Sequence, residues 1–234
     1  MRILSLSTAE QGCSLAVFDN KALVCEEYWA DKQTHSKRVL AMVENILACR
    51  AGWGVSEIDG FIAAKGPGSF TGLRIGISVI KGLAYAVSKP DAGVSSLDGI
   101  AYRFSAASVP VCVMMDARRN EVYCAVYHFE RGTLVDKSDE MVCSPAQAVL
   151  LAGETAVFVG SGSKAYRELI LRLTNPRVLF FCESMDYVSA VALARPALLN
   201  DHFFDCPENK LTPSYIRKSD AELQFGTRTN NQSK

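Results

Sequence analysis

The sequence predicts an α/β protein of two lobes, each with a mixed sheet flanked by helices. Three observations predict this fold. Strand-like runs open the chain and are followed by alternating strand and helix patterns. The same order restarts after about residue 105, and in each half a glycine-rich loop follows a strand and opens a helix. We therefore predict an N-terminal lobe over 1–105, a smaller C-terminal lobe over 106–218 and a disordered tail over 219–234, since apolar residues are almost absent from about Gly226 onward.

Apolar runs bounded by turn residues define the β elements of the first half. The predicted strands cover 2–7, 13–18, 23–28 and 61–64. Helical spacing of apolar residues predicts one helix over about 33–49, with Thr34 as a candidate cap, and a second helix that begins at Ser69 or Thr71 and ends near Val87.

The loop before the second helix reads Gly-Pro-Gly-Ser-Phe-Thr-Gly over 66–72. Free backbone N–H groups at such a junction can hold a phosphate or a carboxylate, so Gly66, Gly68, Ser69 and Thr71 are candidates for an anion-binding loop. The alternative, which the spacing favours, is a tight turn whose glycines let two backbones approach closely. The loop is neither a P-loop nor a dinucleotide fingerprint, so the spacing leaves the ligand open.

Both helices of the first half have more apolar surface than packing on one sheet requires. Apolar residues cover about half the circumference of the first helix, and the second has only a narrow polar side of Arg74, Ser78, Lys81, Tyr85 and Ser88. Either other parts of this chain or the helices of another subunit cover the excess, and the sequence leaves both open. The candidate partner-contact residues are His35, Val39, Met42, Val43, Ile46, Gly72, Gly76, Val79, Ile80 and Leu83.

The second half repeats the pattern around a predicted hairpin. Its predicted elements are a helix near 96–104, a strand pair at 109–115 and 121–127, further strands over 133–142 and 155–159, a helix starting at 144–146 and a last helix at 189–199. Gly160 and Gly162 form a second, looser phosphate-loop pattern after a strand. Asp116, at the hairpin, is interpreted as a turn-forming residue in preference to a ligand contact.

Composition excludes several classes of protein. The net charge is zero and the basic residues are scattered, so we expect no strong independent binding of tRNA or DNA. No apolar run approaches the roughly 18 residues of a membrane span, and the first residues do not resemble a signal peptide. Cys112 and Cys124 could face each other across the hairpin, but two buried thiols are favoured over a disulfide. The chain is therefore expected to be cytoplasmic, without a membrane partner.

Residues that carry chemistry are sparse. The three histidines are His35, His128 and His202, and Val39 stands where a metal-binding helix would carry a second histidine. We therefore predict neither a metal nor another cofactor. Ser69 does not lie in a nucleophile elbow. A nucleotide-binding layout without an evident catalytic set favours a binding or scaffolding protein over a self-sufficient enzyme.

Five segments in order resemble the TsaB (YeaZ) family, which takes part in making N6-threonylcarbamoyladenosine at position 37 of tRNAs that read codons beginning with A. The densest is Lys-Gly-Pro-Gly-Ser-Phe-Thr-Gly-Leu-Arg-Ile-Gly over 65–76. The others are Met-Arg-Ile-Leu-Ser-Leu-Ser-Thr-Ala at 1–9, His-Ser at 35–36, Asp-Ala-Arg-Arg-Asn-Glu-Val-Tyr at 116–123 and Pro-Ser-Tyr-Ile-Arg at 213–217.

The resemblance implies an ASKHA fold (actin, hexokinase and Hsp70-like) and a non-catalytic subunit. It implies that helices 34–49 and 71–88 pack against equivalent helices of the catalytic subunit TsaD, that the same surface forms a homodimer when TsaD is absent, and that the ATPase TsaE docks on the pair. Contact with tRNA would be made only through the complex, which would transfer the threonylcarbamoyl group from threonylcarbamoyl-AMP. TsaD carries His-x-x-x-His on its first helix, whereas this chain has His35 and Val39. Ser7 stands where many members have Asp, which argues against ATP binding by this chain alone.

Two other functions remain as alternatives. An ATP-dependent small-molecule kinase of the same fold is favoured by the two glycine loops and opposed by Ser7. A peptidase is opposed by the absence of a nucleophile–base pair in the sequence.

Overall fold

The computed structural model describes residues 1–30, 35–153, 155–174, 179–180 and 185–217, with only the backbone described at 35–37. The predicted tail at 219–234 and the candidate cap Thr34 lie outside the described residues.

The first half of the chain forms a mixed sheet with the strand order β3-β2-β1-β4-β5 among the described residues. The strands are β1 (Arg2–Ser7), β2 (Cys13–Asp19), β3 (Ala22–Trp29), β4 (Gly60–Gly66) and β5 (Asp91–Ser95). The first three strands pair antiparallel, whereas β4 and β5 continue the sheet in parallel. Strands β1, β2 and β4 are buried along almost their whole length, as expected for a sheet that is covered on both faces.

Helices cover this sheet. The first helix, α1 (His35–Glu44), continues as π-helical turns over Asn45–Ala51, and α2 (Phe70–Ala86) lies beside it. Both agree with the sequence prediction, and Ser69 caps α2 by accepting a hydrogen bond from the backbone N–H of Gly72. The short α3 (Asp98–Ala101) follows β5 and ends in a 3₁₀ turn.

The second half forms another mixed sheet with the order β11-β10-β6-β7-β8, and β9 also pairs with β7. Its strands are β6 (Val111–Arg118), β7 (Glu121–Glu130), β8 (Thr133–Lys137), β9 (Met141–Cys143), β10 (Val157–Val159) and β11 (Leu179–Phe180). The helices are α4 (Pro145–Ala152), α5 (Ser161–Ala165), α6 (Arg167–Leu173) and α7 (Ala190–Leu199). The two mixed sheets with flanking helices confirm the predicted α/β fold of two lobes.

Alternate residues of β6 face two different cores. Val111, Val113 and Met115 belong to the main core, which also contains the first sheet. Cys112 and Met114 point the other way, into a smaller core under α4 and α6. Because successive side chains of a strand point to opposite faces, β6 contributes to both cores and connects them.

The last helix differs from the expectation that 106–218 packs as a lobe of its own. Helix α7 contacts β1, β2 and β4 of the first sheet and packs against α3. The segment after it also stays on the first lobe, where Leu211 is buried in the main core. The C-terminal part of the chain thus returns to cover the N-terminal sheet.

The cysteine prediction needs one correction. Strand register places Cys112 opposite Val126 and Cys124 opposite Met141, so the two are not cross-strand partners. The sulfur of Cys124 lies 3.5 Å from that of Cys143, and both remain free thiols. Burial raises the pKa of the Cys112 and Cys124 thiols well above the ordinary range.

Within the described residues, none of the helices combines the length and the apolar character that crossing a membrane requires.

Candidate functional site

The glycine-rich loop packs against the turn that follows β1. The backbone N–H of Ser69 donates to the carbonyl oxygen of Ala9 at 2.8 Å, and the hydroxyl of Thr8 donates to the carbonyl oxygen of Gly72 at 2.7 Å. Ser69 Oγ accepts from the N–H of Gly72 at 3.2 Å. Two N–H groups at the start of α2 therefore bond within the chain.

The glycines of this loop are required by the closeness of the two backbones. A Cβ atom on Gly72 would collide with the carbonyl oxygen of Thr8, and one on Gly76 would collide with the Thr8 hydroxyl. Gly68, whose φ is +155°, would meet the carbonyl oxygen of Ala9. Close approach of backbones, the alternative that the sequence favoured, accounts for these positions. Thr71 is exposed and Gly66 is buried against Ser214.

The second glycine loop has a similar explanation. Gly160 has a φ of +95°, and a Cβ atom there would meet the carbonyl oxygen of Met114 at 2.5 Å. A Cβ atom on Gly162 would lie 2.9 Å from the same carbonyl oxygen. The N–H of Gly160 donates to Asp186 Oδ1 at 2.9 Å, so this N–H group bonds within the chain.

Glu10 links the two lobes at this point. Its Oε1 accepts a hydrogen bond from the Ser161 hydroxyl at 2.8 Å, and its Oε2 accepts from the N–H of Val188 at 3.2 Å. Burial raises the pKa of the Glu10 carboxyl, and the charge of Asp186 adds to the shift, while the two hydrogen bonds oppose it. The residue therefore joins the β1–β2 turn to α5 and to the segment before α7.

The hairpin tip confirms the turn interpretation of Asp116. Asp116 is exposed, and its Oδ1 accepts from the N–H of Arg118 at 2.8 Å. Arg217 secures the hairpin from the C-terminal segment, since its Nη1 donates to the carbonyl oxygen of Ala117 at 2.8 Å and lies 3.2 Å from Glu121 Oε2.

In the described part of the chain, no three His, Cys, Asp or Glu side chains lie close enough together to hold a metal ion. The side chain of His35 lies outside the described residues. His128 and His202 are exposed and lie near Asp136 and Asp205 respectively.

Most of the candidate partner-contact residues lie inside this chain's own core. Seven of the ten are buried: Val39, Met42, Val43, Ile46, Gly72, Gly76 and Ile80. The apolar arcs of α1 and α2 are thus largely covered by the sheet and by each other, so these seven residues offer no exposed surface. For them, coverage by the same chain is the correct alternative.

A narrower apolar surface remains exposed on the two helices. Val79 and Leu83 of the prediction are half-buried, and Ile75 lies beside them on α2. Gly82 is exposed, and Leu40 on α1 is 55% exposed. We call these five residues the apolar stripe.

Comparison with known proteins agrees with this architecture. The family model described as "TsaD: tRNA N6-adenosine threonylcarbamoyltransferase" matches residues 30–225. The tRNA threonylcarbamoyladenosine biosynthesis protein TsaB of Haemophilus influenzae is 30% identical, over 93% of this chain and 94% of its own length. The Escherichia coli protein of the same name is 37% identical over 72% of this chain and 75% of its own length.

The chain belongs to the TsaB (YeaZ) family.

A solved structure also supports membership of the TsaB family. A Pseudomonas aeruginosa protein described as uncharacterized, with similarity to peptidase YEAZ, superposes with a TM-score of 0.75 at 27% identity. The match covers 92% of this chain and 99% of that one.

Sequence reasoning missed several residues that hold the TsaB-family fold together at the cleft. Glu10 contributes a polar contact between the lobes and Asp186 binds the second glycine loop, yet Glu10 lies 151 residues from Ser161 in the sequence. The sequence offered only a weak signal for these contacts, namely one acidic residue in each of two turns, Glu10 and Asp186. Arg217 belongs to a segment that the sequence did single out, but its contact with the hairpin could not be predicted.

Proposed function

We propose that the protein takes part in the biosynthesis of tRNA threonylcarbamoyladenosine as a non-catalytic subunit that holds a TsaD-family partner in its active arrangement. The observation that carries this proposal is similarity to a TsaB protein over nearly the whole length of both chains.

The hydrogen bonds at the two glycine loops favour a scaffold over the kinase alternative. A kinase of this fold needs free donors for phosphate groups at the two glycine loops. Here the N–H of Ser69 bonds to Ala9 and that of Gly160 bonds to Asp186. Glu10 lies between the loops and joins the lobes, and a carboxylate there disfavours a nucleotide phosphate.

The apolar stripe is the surface that we propose for the partner. It extends along α2 through Ile75, Val79 and Leu83, and we assign to it Leu40, an exposed residue of α1, because α1 packs against α2. A Cβ atom on Gly82 would have no atom within 4 Å, so this glycine leaves room for a second helix to approach the backbone. The same surface serves a homodimer when the partner is absent, and TsaE and tRNA are engaged through the assembled pair.

The experiment places a charge on the stripe without disturbing the core. Ile80 and Val43 are unsuitable because both are buried in this chain, so a glutamate at either position would unfold it. Leu40→Glu changes an exposed residue, and Leu150→Glu on α4, where the side chain is 82% exposed, is the matched control.

The purified protein is mixed with a TsaD-family partner from the same organism, and light scattering gives the mass of the complex. We expect a one-to-one complex for the wild type and for Leu150→Glu. Leu40→Glu should weaken binding about 100-fold or more, because an unpaired charge buried at an interface costs about 3 kcal/mol or more. Normal binding by Leu40→Glu would exclude this surface, and the absence of any wild-type complex would exclude the scaffold function.

A further inference from the structure

Helix α2 carries a polar face beside its apolar stripe. Arg74, Ser78, Lys81 and Tyr85 recur at spacings of three or four residues and are all exposed. The sequence singles out this polar side, and the proposed partner surface does not use it. Tyr85 is 89% exposed, an unusual position for a large aromatic ring.

A groove lies next to the C-terminal part of this face. It has a volume of about 950 Å³ and is lined by Lys81 and Tyr85 of α2, by Lys89 and Asp91 at the start of β5, and by Lys210. We call it the α2 groove. Its walls come from two separate stretches of the chain, 81–91 and 210–211, so the fold brings their charges together, and the groove borders the apolar stripe at Gly82.

The charges of the α2 groove are mostly positive. Lys89 is engaged, because its Nζ lies 3.2 Å from Asp59 Oδ1. Among the described residues, Lys81 and Lys210 have no ion-pair partner, and Asp91 is the one acidic residue in the lining. Two ammonium groups and an exposed aromatic ring therefore share one open groove.

This combination fits a single strand of nucleic acid. Lysines contact the phosphates of such a strand, and a base that is not paired can stack on an aromatic ring. RNA loops are recognised in this way, whereas paired bases in a helix are not available for stacking. An acidic protein surface would pair with the lysines and leave the tyrosine ring unused.

We propose that the α2 groove binds a single-stranded segment of tRNA, with Lys81 and Lys210 contacting phosphates and Tyr85 stacking on a base. The inference rests on the proposed function, which supplies a tRNA substrate and a partner on the adjacent side of α2. Because the whole chain has zero net charge, this contact adds to binding by the complex and is weak in the isolated chain.

The test measures fluorescence anisotropy of a labelled tRNA transcript that has adenosine at position 37, titrated with the complex of this protein and its TsaD-family partner. The variants are Tyr85→Ala, Tyr85→Phe and the double variant Lys81→Gln/Lys210→Gln. Lys21→Gln is the matched control, because Lys21 is an exposed lysine beside β3, at the edge of the sheet opposite β5.

We expect Tyr85→Ala to weaken binding about fivefold or more, and Tyr85→Phe to bind within about twofold of the wild type, because phenylalanine keeps the stacking face. The double lysine variant should reduce the slope of log K against log salt by about 1.4, since each single-strand phosphate contact contributes about 0.7. Lys21→Gln should leave both quantities unchanged.

If Tyr85→Ala and the double lysine variant bind tRNA with the affinity and the salt slope of the wild type, the proposal is overturned. The assembly with the partner and the proposed function would not be affected by that result. A second result would also overturn the proposal, in favour of an acidic protein as the ligand. In that result polyglutamate competes with tRNA when Lys81 and Lys210 are present but not in the double variant, and Tyr85→Ala binds tRNA like the wild type. If the complex does not form, the proposed function fails, and the same variants are then compared on the isolated chain at low salt by the same criteria.

Discussion

Gly72 lies in the first turn of α2, where its backbone faces the carbonyl oxygen of Thr8. A Cβ atom at this position would collide with that oxygen, and both atoms belong to backbone segments that cannot move aside by changing a rotamer. The Thr8 hydroxyl also donates to the carbonyl oxygen of Gly72 at 2.7 Å. Gly72→Ala should therefore push α2 away from the β1–β2 turn.

The cost follows from three contributions. Overpacking costs about 1–3 kcal/mol, and loss of the Thr8 hydrogen bond costs about 0.5–1.5 kcal/mol. The better helix propensity of alanine returns about 0.5–1 kcal/mol. The net loss lies between about 0.5 and 4 kcal/mol and is centred near about 2 kcal/mol, and a loss of about 2 kcal/mol lowers the melting temperature of a domain of this size by about 4–8 °C.

The assay is thermal unfolding followed by circular dichroism, with Gly82→Ala as the control on the same helix. Gly82 has open space around a built Cβ, so alanine there should raise the melting temperature by about 1–4 °C. If Gly72→Ala were as stable as Gly82→Ala, close approach would not explain the glycine, and the anion-binding interpretation of the loop would have to be reconsidered.

Two further predictions concern the contacts between the lobes. Burial raises the pKa of Glu10 above its ordinary value of 4.5, so between 4.5 and the raised value the folded state binds the proton more tightly than the unfolded state. The free energy of unfolding of the wild type should therefore fall relative to that of Glu10→Gln as pH rises through this window. Urea unfolding at several pH values measures both free energies. Parallel pH dependences of the two proteins would contradict the prediction. Arg217→Met removes the contacts with Ala117 and Glu121 and should cost about 1.5–3 kcal/mol. Arg172→Met, which breaks a largely exposed ion pair with Glu168 on α6, should cost under about 0.5 kcal/mol in the same experiment. Equal losses in the two variants would refute a role for Arg217 in joining the lobes.

Local features of the sequence predicted the elements well. Ser69 and Ser144 both cap helices as expected, because the hydroxyl and the N–H group that it accepts from are three residues apart. The β6–β7 hairpin and the strand before the glycine loop also lie where the apolar runs placed them. Each of these depends on contacts between residues that are close in the chain.

The candidate sites were predicted less well because their interpretation depends on distant neighbours. The periodicity showed that Val43 and Ile80 face an apolar environment, but a helical pattern is the same whether a sheet of the same chain or another subunit covers it. The strand pattern placed Cys124 in a strand, yet its neighbour is Cys143, because β9 pairs with β7 in a register that the sequence does not specify.

The sequence by itself determined most of the strands and helices and, through five matching segments, the family, but it did not predict strand β5 of the first sheet or the short β11. The tertiary structure decided what those segments contact. Gly72 is a glycine because Thr8 lies against it, and Glu10 joins the lobes because Ser161 and Val188 lie beside it in the fold. Spacing along a chain encodes local geometry, whereas the partner of a residue across the fold depends on register and packing, which exist only once the chain is folded.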